Sequence, residues 1–354
     1  MQNLINEAPV KRNYDFIDAI RCIAMMAIVA EHCIGSYDFA KNSEIYWAYV
    51  LYMQVTRFGT ISFFLLAGFL IGDKFADYTP AQYLKRRIST TFGPWVFWSL
   101  VYVLAMIINM AVKERIYHRG DFNFVNIADG IRTVYLYTNY WFIINFLISI
   151  TILLIFRKYL YSMYLGMVLF AFTLFYAVNI YFEWIQPGHT TAILGFVFFL
   201  WLGAQLRGHW QKIEVWLSKV PYWLITTALL LVYAVSVFEA HILTGRSADY
   251  FNTLRFSNVL YSLVVFAFLL KIHNFKFTTY LKPRQTTFGI YLIHFIIVVY
   301  VLPEILIHFS FDANSMSPLQ FGLFKLASFL TVYAITFFVV SLLNRSKAKV
   351  LVGN

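Results

Sequence analysis

The sequence predicts an all-α integral membrane protein of about ten transmembrane helices with both termini in the cytoplasm. Composition is the first reason. Of the 354 residues, 60% belong to the apolar set AVILMFWYC and 13% are charged, against roughly 45–50% and 25% in a soluble domain. Water does not tolerate that much apolar surface, whereas a bilayer does. The second reason is ten apolar runs of about 20 residues, the length that crosses a hydrocarbon core. The third is the alternation of basic residues between successive loops.

Taken in order, the first span covers 16–35. The polar stretch before it lacks an A-x-A-like cleavage site, so residues 1–15 read as a cytoplasmic tail and the first helix as retained. The second span covers 47–72, where Gly59, Ala67, Gly68 and Gly72 are small enough for close helix contact. The third, 92–112, follows the basic segment YLKRR. The fourth, 141–156, is short enough to be tilted, extended or partly re-entrant. Spans five to eight cover 160–182, 190–206, 222–240 and 256–272, with Pro187-Gly188 and Pro221 marking turns. The ninth, 287–308, and the tenth, 322–343, start just beyond Pro283 and Pro318, and 344–354 form a cytoplasmic tail. The whole of 16–343 is thus one transmembrane domain. The longest outer segment, 113–140, either covers a site or simply connects two spans.

With the N-terminus inside, 18 of the 28 Lys and Arg residues fall in cytoplasmic segments and 8 in outer ones. Lys11, Arg12 and the cluster Lys85, Arg86 and Arg87 are among the former; Arg119 is among the latter. The net charge of +11 therefore records topology, and no nucleic-acid partner is expected. Cys22 and Cys33 are 11 apart, about 16 Å along a helix, too far for a disulfide.

Charged groups inside spans are costly and commonly functional. The first span holds Asp18, Arg21, Glu31 and His32. Arg21 and His32 are three turns plus about 20° apart, so they share a face. Asp18 can pair with Arg21 one turn on, whereas Glu31 points about 100° away from His32. Arg57 interrupts the second span and is expected to line a polar cavity or contact an anion. Lys85, Arg86 and Arg87 either orient the chain and meet lipid headgroups or bind a cytoplasmic anion such as a nucleotide phosphate. In the ninth span Tyr291 and His294 share a face, which puts a second histidine in the membrane, toward the inside. His118, His189, His241 and His308 lie near span ends or in loops and are given no role. Neither a metal signature nor a soluble nucleotide-binding motif is present. The 9 Trp, 25 Tyr and 37 Phe suit sugar stacking, although interfacial belts account for most of them.

In this order the segments resemble the integral-membrane acyltransferases of the acyltransferase-three family, which move acyl groups, commonly acetyl, to bacterial surface glycans and other acceptors. Asp18-Ala19-Ile20-Arg21 followed by His32 is similar to the family's opening motif, and Ser62 to Leu70 to its FF-x-x-SGF segment, with Ala67 in place of the usual Ser. Arg57, seven positions before Phe64, is similar to the subgroup containing the enterobacterial common antigen O-acetyltransferase. Lys85-Arg86-Arg87-Ile88 resembles the basic motif opening the third helix, Tyr140-Trp141-Phe142 the LWFL segment with Tyr for Leu, and Tyr291-Leu292-Ile293-His294 the late YLxH.

The resemblance implies a multi-pass enzyme of the bacterial inner membrane that uses acetyl-CoA or another acyl-CoA as donor substrate, with no permanently bound cofactor. The acceptor is a surface glycan or lipid-linked sugar. His32, Arg21 and Asp18 would be catalytic, with His32 a general base or a transient acyl carrier. Arg57, Lys85, Arg86 and Arg87 would hold the CoA phosphates. Glu31, Trp141, Tyr291 and His294 would bind substrate or support the site. The rival is a transporter or glycan exporter, whose path intramembrane Arg, Glu and His would line; paired repeats expected for it are not visible.

Overall fold

The computed structural model describes residues 14–74, 79–118, 120, 122–307 and 312–354. The tail before Tyr14, with Lys11 and Arg12, lies outside the described residues, as do Arg119, His308 and the side chain of Lys74. Among the described residues the chain is all-helical, with no strand.

The first helix, α1 (Asp15–Ile34), carries Asp15, Asp18, Arg21, Glu31 and His32 and is buried along most of its length. Ser43 caps α2 (Glu44–Thr56), which breaks at Arg57 and Phe58 and resumes as α3 (Gly59–Lys74). A capping box between Thr79 and Gln82, with Pro80 at the first turn, starts α4 (Pro80–Arg87). One wide turn over 88–92 carries it into α5 (Gly93–Tyr117), giving a single 38-residue helix. Helix α6 (Phe124–Leu136) meets α7 (Trp141–Ile155) at a 52° bend. Next come α8 (Met163–Phe182), α9 (Ile193–Gly208), α10 (Trp210–Lys219), α11 (Tyr222–Leu243) and α12 (Phe256–Ile272). Short α13 (Lys276–Tyr280) precedes α14 (Pro283–Ile296), which runs through a second wide turn into α15 (Leu302–Leu306). A capping box between Ser317 and Gln320 opens α16 (Pro318–Asn344).

Each expected span coincides with a helix, but six helices are long and apolar enough to cross a membrane, or seven if the bent pair α6–α7 is one span. The other three fall short for different reasons. Charge disqualifies α1, while α9 and α12, with 16 and 17 residues, reach only about 24–26 Å, less than the roughly 30 Å hydrocarbon core. The segment 113–140, expected as a loop, is largely helical: α5 extends to Tyr117, and α6 occupies most of the rest.

Helix α1 is the axle of the fold, packing against α2, α3, α14 and α16. The tightest pair is α3 and α9. A Cβ on Gly68 would fall 1.9 Å from the Leu200 carbonyl oxygen, and one on Gly203 would fall 2.1 Å from that of Leu65. The two backbones therefore touch, as small residues permit in membranes. Outward faces are apolar: Leu100, Leu104, Ile108 and Val112, four apart on α5, are all more than half exposed. That surface suits lipid rather than water.

Candidate active site

Residues Arg21, Met25, Ile28 and His32 follow 4-3-4 spacing and line one face of α1. Two cavities lie along that face. The first, of about 270 Å³, lies toward the N-terminal half of α1 and holds Arg21, Arg87 and Arg284 among apolar residues that include Ala67. The second, of about 320 Å³, lies at the C-terminal end and holds Glu31, His32, Trp141, His189 and Asp249. Ile28, Phe142 and Tyr291 line both, so the two cavities share these side chains.

Beside the arginine-lined cavity Asp18 organises the charge. Its carboxylate accepts from Arg21 Nη1 at 3.4 Å and from Arg284 Nε at 2.6 Å. Arg87 donates to the Tyr83 hydroxyl at 3.0 Å and stacks over the same ring. Three guanidinium groups line the cavity, a donor set that matches phosphate oxygens. Lys85 and Arg86 lie exposed on the last turn of α4 and line neither cavity. Arg284 had no sequence signal beyond its place among the cytoplasmic basic residues.

At the other end, His32 and His294 meet ring to ring, with His294 Nε2 3.1 Å from His32 Nδ1. The sequence reading placed His294 toward the inside. Because α14 starts only at Pro283, His294 sits three turns along it, opposite His32. The hydrogen-bond pattern fixes the tautomers. His294 Nδ1 lies 3.0 Å from the Ile290 carbonyl oxygen and 2.9 Å from that of Tyr291. Carbonyls only accept, so Nδ1 carries the hydrogen, and the neutral ring accepts through Nε2. His32 Nδ1 then donates, which leaves the lone pair on His32 Nε2. Phe295 packs edge-on against the His32 ring at 4.9 Å between centroids.

Around this pair the elements are locked together. Asn139 Nδ2 donates to the Tyr291 carbonyl at 2.8 Å, the Tyr291 hydroxyl donates to the Asn139 carbonyl, and the Tyr140 hydroxyl donates to the Leu292 carbonyl at 2.8 Å. These bonds bolt the α6–α7 corner to α14. Trp141, the first residue past that corner, stacks on His189 with centroids 4.5 Å apart. His189, in the segment between α8 and α9, lies 3.1 Å from the Thr253 hydroxyl through Nε2. Burial pushes its imidazole below the ordinary value, and the Asp249 carboxylate pulls part of the way back.

Glu31 does not reach His32 within the helix. It accepts from Arg57 Nη1 at 2.9 Å. Arg57, at the α2–α3 break, also lies over Phe251 at 5.3 Å from the ring centroid. Its partners put it beside Glu31, apart from Arg87. Among the described residues no group of three or more His, Cys, Asp or Glu is arranged to hold a metal. Cys22 and Cys33 are free and buried.

Neither a curated protein nor a solved structure matches the chain. A family described as an acyltransferase domain does match, over residues 14–343, which takes in α1 to nearly the end of α16 with both cavities. The chain belongs to that acyltransferase-three family of multi-pass membrane proteins.

Proposed function

We propose that the protein is an O-acyltransferase of the bacterial cytoplasmic membrane. It moves an acetyl group from acetyl-CoA to a hydroxyl of a surface polysaccharide or lipid-linked glycan. The single observation that carries this reading is the pair of abutting cavities: cationic at one end of α1, histidine-lined at the other, with Ile28, Phe142 and Tyr291 as a shared wall. A donor with anionic phosphates and a long neutral arm fits that polarity. The ten-span arrangement with cytoplasmic ends would turn the arginine cavity toward the compartment that contains CoA. Membership of the acyltransferase family supports an enzyme over a transporter, and the Arg57 spacing keeps the chain near the common-antigen subgroup.

Arg21, Arg87 and Arg284 hold the CoA phosphates in this reading, with Asp18 keeping Arg21 and Arg284 in place. Arg21 lies 11 residues from His32, about 16 Å along the helix. That distance assigns it to donor binding rather than to the oxyanion at the reacting carbonyl. Lys85 and Arg86, exposed on the same helix turn as Arg87, attract the anion, while Arg57 supports the histidine side through Glu31.

The pantetheine thioester crosses the shared wall to reach His32. The acceptor oxygen attacks the acetyl carbon as His32 Nε2 takes its proton. The carbon–sulfur bond then breaks, and His32 returns the proton to the CoA thiolate, so the base ends as it began. Trp141 offers a face for sugar stacking. The test is radiolabelled acetyl-CoA given to membranes that contain His32→Ala. Loss of ester formation is expected, by about 10²–10⁴-fold for a general base; wild-type transfer would overturn the role of His32.

A further inference from the structure

A third cavity, of about 1010 Å³, opens on the other flank of His32. Apolar side chains from two elements, Val298 and Leu302 on one side and Phe324 on the other, form much of its wall. Lys325 lies within it and is only 8% exposed. Its Nζ donates to the Tyr37 hydroxyl at 2.6 Å and lies over the rings of Tyr37, Phe324 and Phe321, at 4.4, 4.9 and 5.5 Å. Among the described residues it has no carboxylate within ion-pair distance. Asp312 lines the same cavity, but its Oδ1 accepts from the backbone N–H of Asn314 at 3.0 Å.

A buried amine that makes one hydrogen bond, to a phenol, and otherwise meets only ring faces is left with spare donors. Aromatic faces return only part of what it costs to desolvate an ion. An anion is the missing partner. The apolar wall says what else that anion must carry, because a free, fully hydrated ion gains nothing from Val298, Leu302 and Phe324. His32 lines this cavity too, so whatever Lys325 holds lies beside the proposed base.

We propose that this cavity binds an anionic amphiphile, a phosphate-bearing lipid, with the phosphate on Lys325 and the chain along the apolar wall. That the lipid carries the acceptor sugar rests on the transferase reading; the binding itself does not.

The test uses radiolabelled decyl phosphate with purified protein in phosphatidylcholine nanodiscs, and decyl glucoside as the neutral control. Lys325→Met should weaken decyl phosphate binding by at least about tenfold, as expected for removing one half of a buried charge pair. It should leave decyl glucoside binding unchanged, and Lys325→Arg should retain most of the affinity. Inorganic phosphate should fail to compete; competition at similar concentration would mean a site for free anions and would overturn the amphiphile. Equal binding of decyl phosphate by wild type and Lys325→Met, or no preference over decyl glucoside, would overturn the proposal altogether. If Lys325→Met melts far below wild type, Lys325→Gln replaces it. No turnover is read, so Lys325-dependent binding without ester formation would remove the transferase reading alone, and ester formation without such binding would remove this one alone.

Discussion

In the proposed reaction His32 serves as the base only if its substrate-facing nitrogen lacks a hydrogen, and the contact with His294 bears on that. The two carbonyls at His294 Nδ1 force the chain of donors one way, ending on a bare His32 Nε2. In His294→Phe the ring volume remains but the acceptor is gone. Turnover should fall about 10–100-fold, as for other residues that orient a working group, with donor KM little changed. The pH–rate profile should also move, which a packing defect alone would not produce. A second residue-scale consequence concerns Arg255. It is fully buried, donates to Gln54 Oε1 at 2.6 Å and to the Ser236 carbonyl at 3.0 Å, and pairs with Glu239 at 3.5 Å. Glu239 also accepts from Tyr181 and Ser257. Arg255→Met strands that carboxylate, and a loss of about 3–5 kcal/mol is expected, read as a lower thermal unfolding midpoint in detergent. Asp18 with Arg21 was legible from their spacing of three. The contact of His32 with His294 spans 262 residues, and no periodicity connects positions so distant, so their pairing had to come from the fold. His189 and Asp249 sit in connecting segments, where neither charge nor hydropathy distinguishes a cavity wall from a turn.

At the scale of helices, hydropathy located nearly every element, because a bilayer demands long apolar runs whatever their neighbours. Breaks were harder to read. No proline or glycine separates α2 from α3 at Arg57, and the interruption is held from outside. The Tyr261 hydroxyl donates to the Val55 carbonyl at 3.1 Å, and Asn258 Nδ2 donates to that of Arg57 at 3.4 Å. Helix α12 thus satisfies backbone groups that an unbroken helix would satisfy itself. The α3–α9 contact, by contrast, was anticipated on one side only: Gly68 stood out as small, while Gly203 gained meaning from the Leu65 carbonyl 2.1 Å from where its Cβ would be. Gly68→Ala and Gly203→Ala should each cost about 1–3 kcal/mol, since neither backbone can yield without separating the helices. Gly93→Ala, with nothing within 4 Å of the added carbon, should leave the melting temperature unchanged or raise it. Parallel melts of the three variants check this contrast; equal losses at all three sites would contradict it.

For the molecule as a whole the open quantity is which helices cross the bilayer. Ten apolar runs and the charge asymmetry between loops lead to the expectation of ten crossings with cytoplasmic ends, whereas length alone disfavours α9 and α12. These conflict only if each helix must span lipid by itself. Helix α9 packs on α3, α7 and α8, so protein rather than lipid surrounds much of it, and a helix so enclosed need not match the hydrocarbon thickness. The position of the C-terminus cannot separate the alternatives: if α9 and α12 both failed to cross, the count would drop by two and Asn354 would stay on the same side. The segments flanking α11 do separate them. With ten crossings Ser218, in the last turn of α10, is cytoplasmic and Arg246, just past α11, is external. If α9 turns back, the two exchange sides. Single cysteines at these exposed positions, placed in a chain whose buried Cys22 and Cys33 are replaced by alanine, report the answer through a membrane-impermeant maleimide added to intact cells. Labelling of Arg246→Cys but not Ser218→Cys is expected, because Arg207, Lys212 and Lys219 lie in or next to α10 and basic residues favour the cytoplasmic side. The reverse pattern would put α9 in the bilayer as a re-entrant helix and would turn the loop that carries Asp249 toward the cytoplasm.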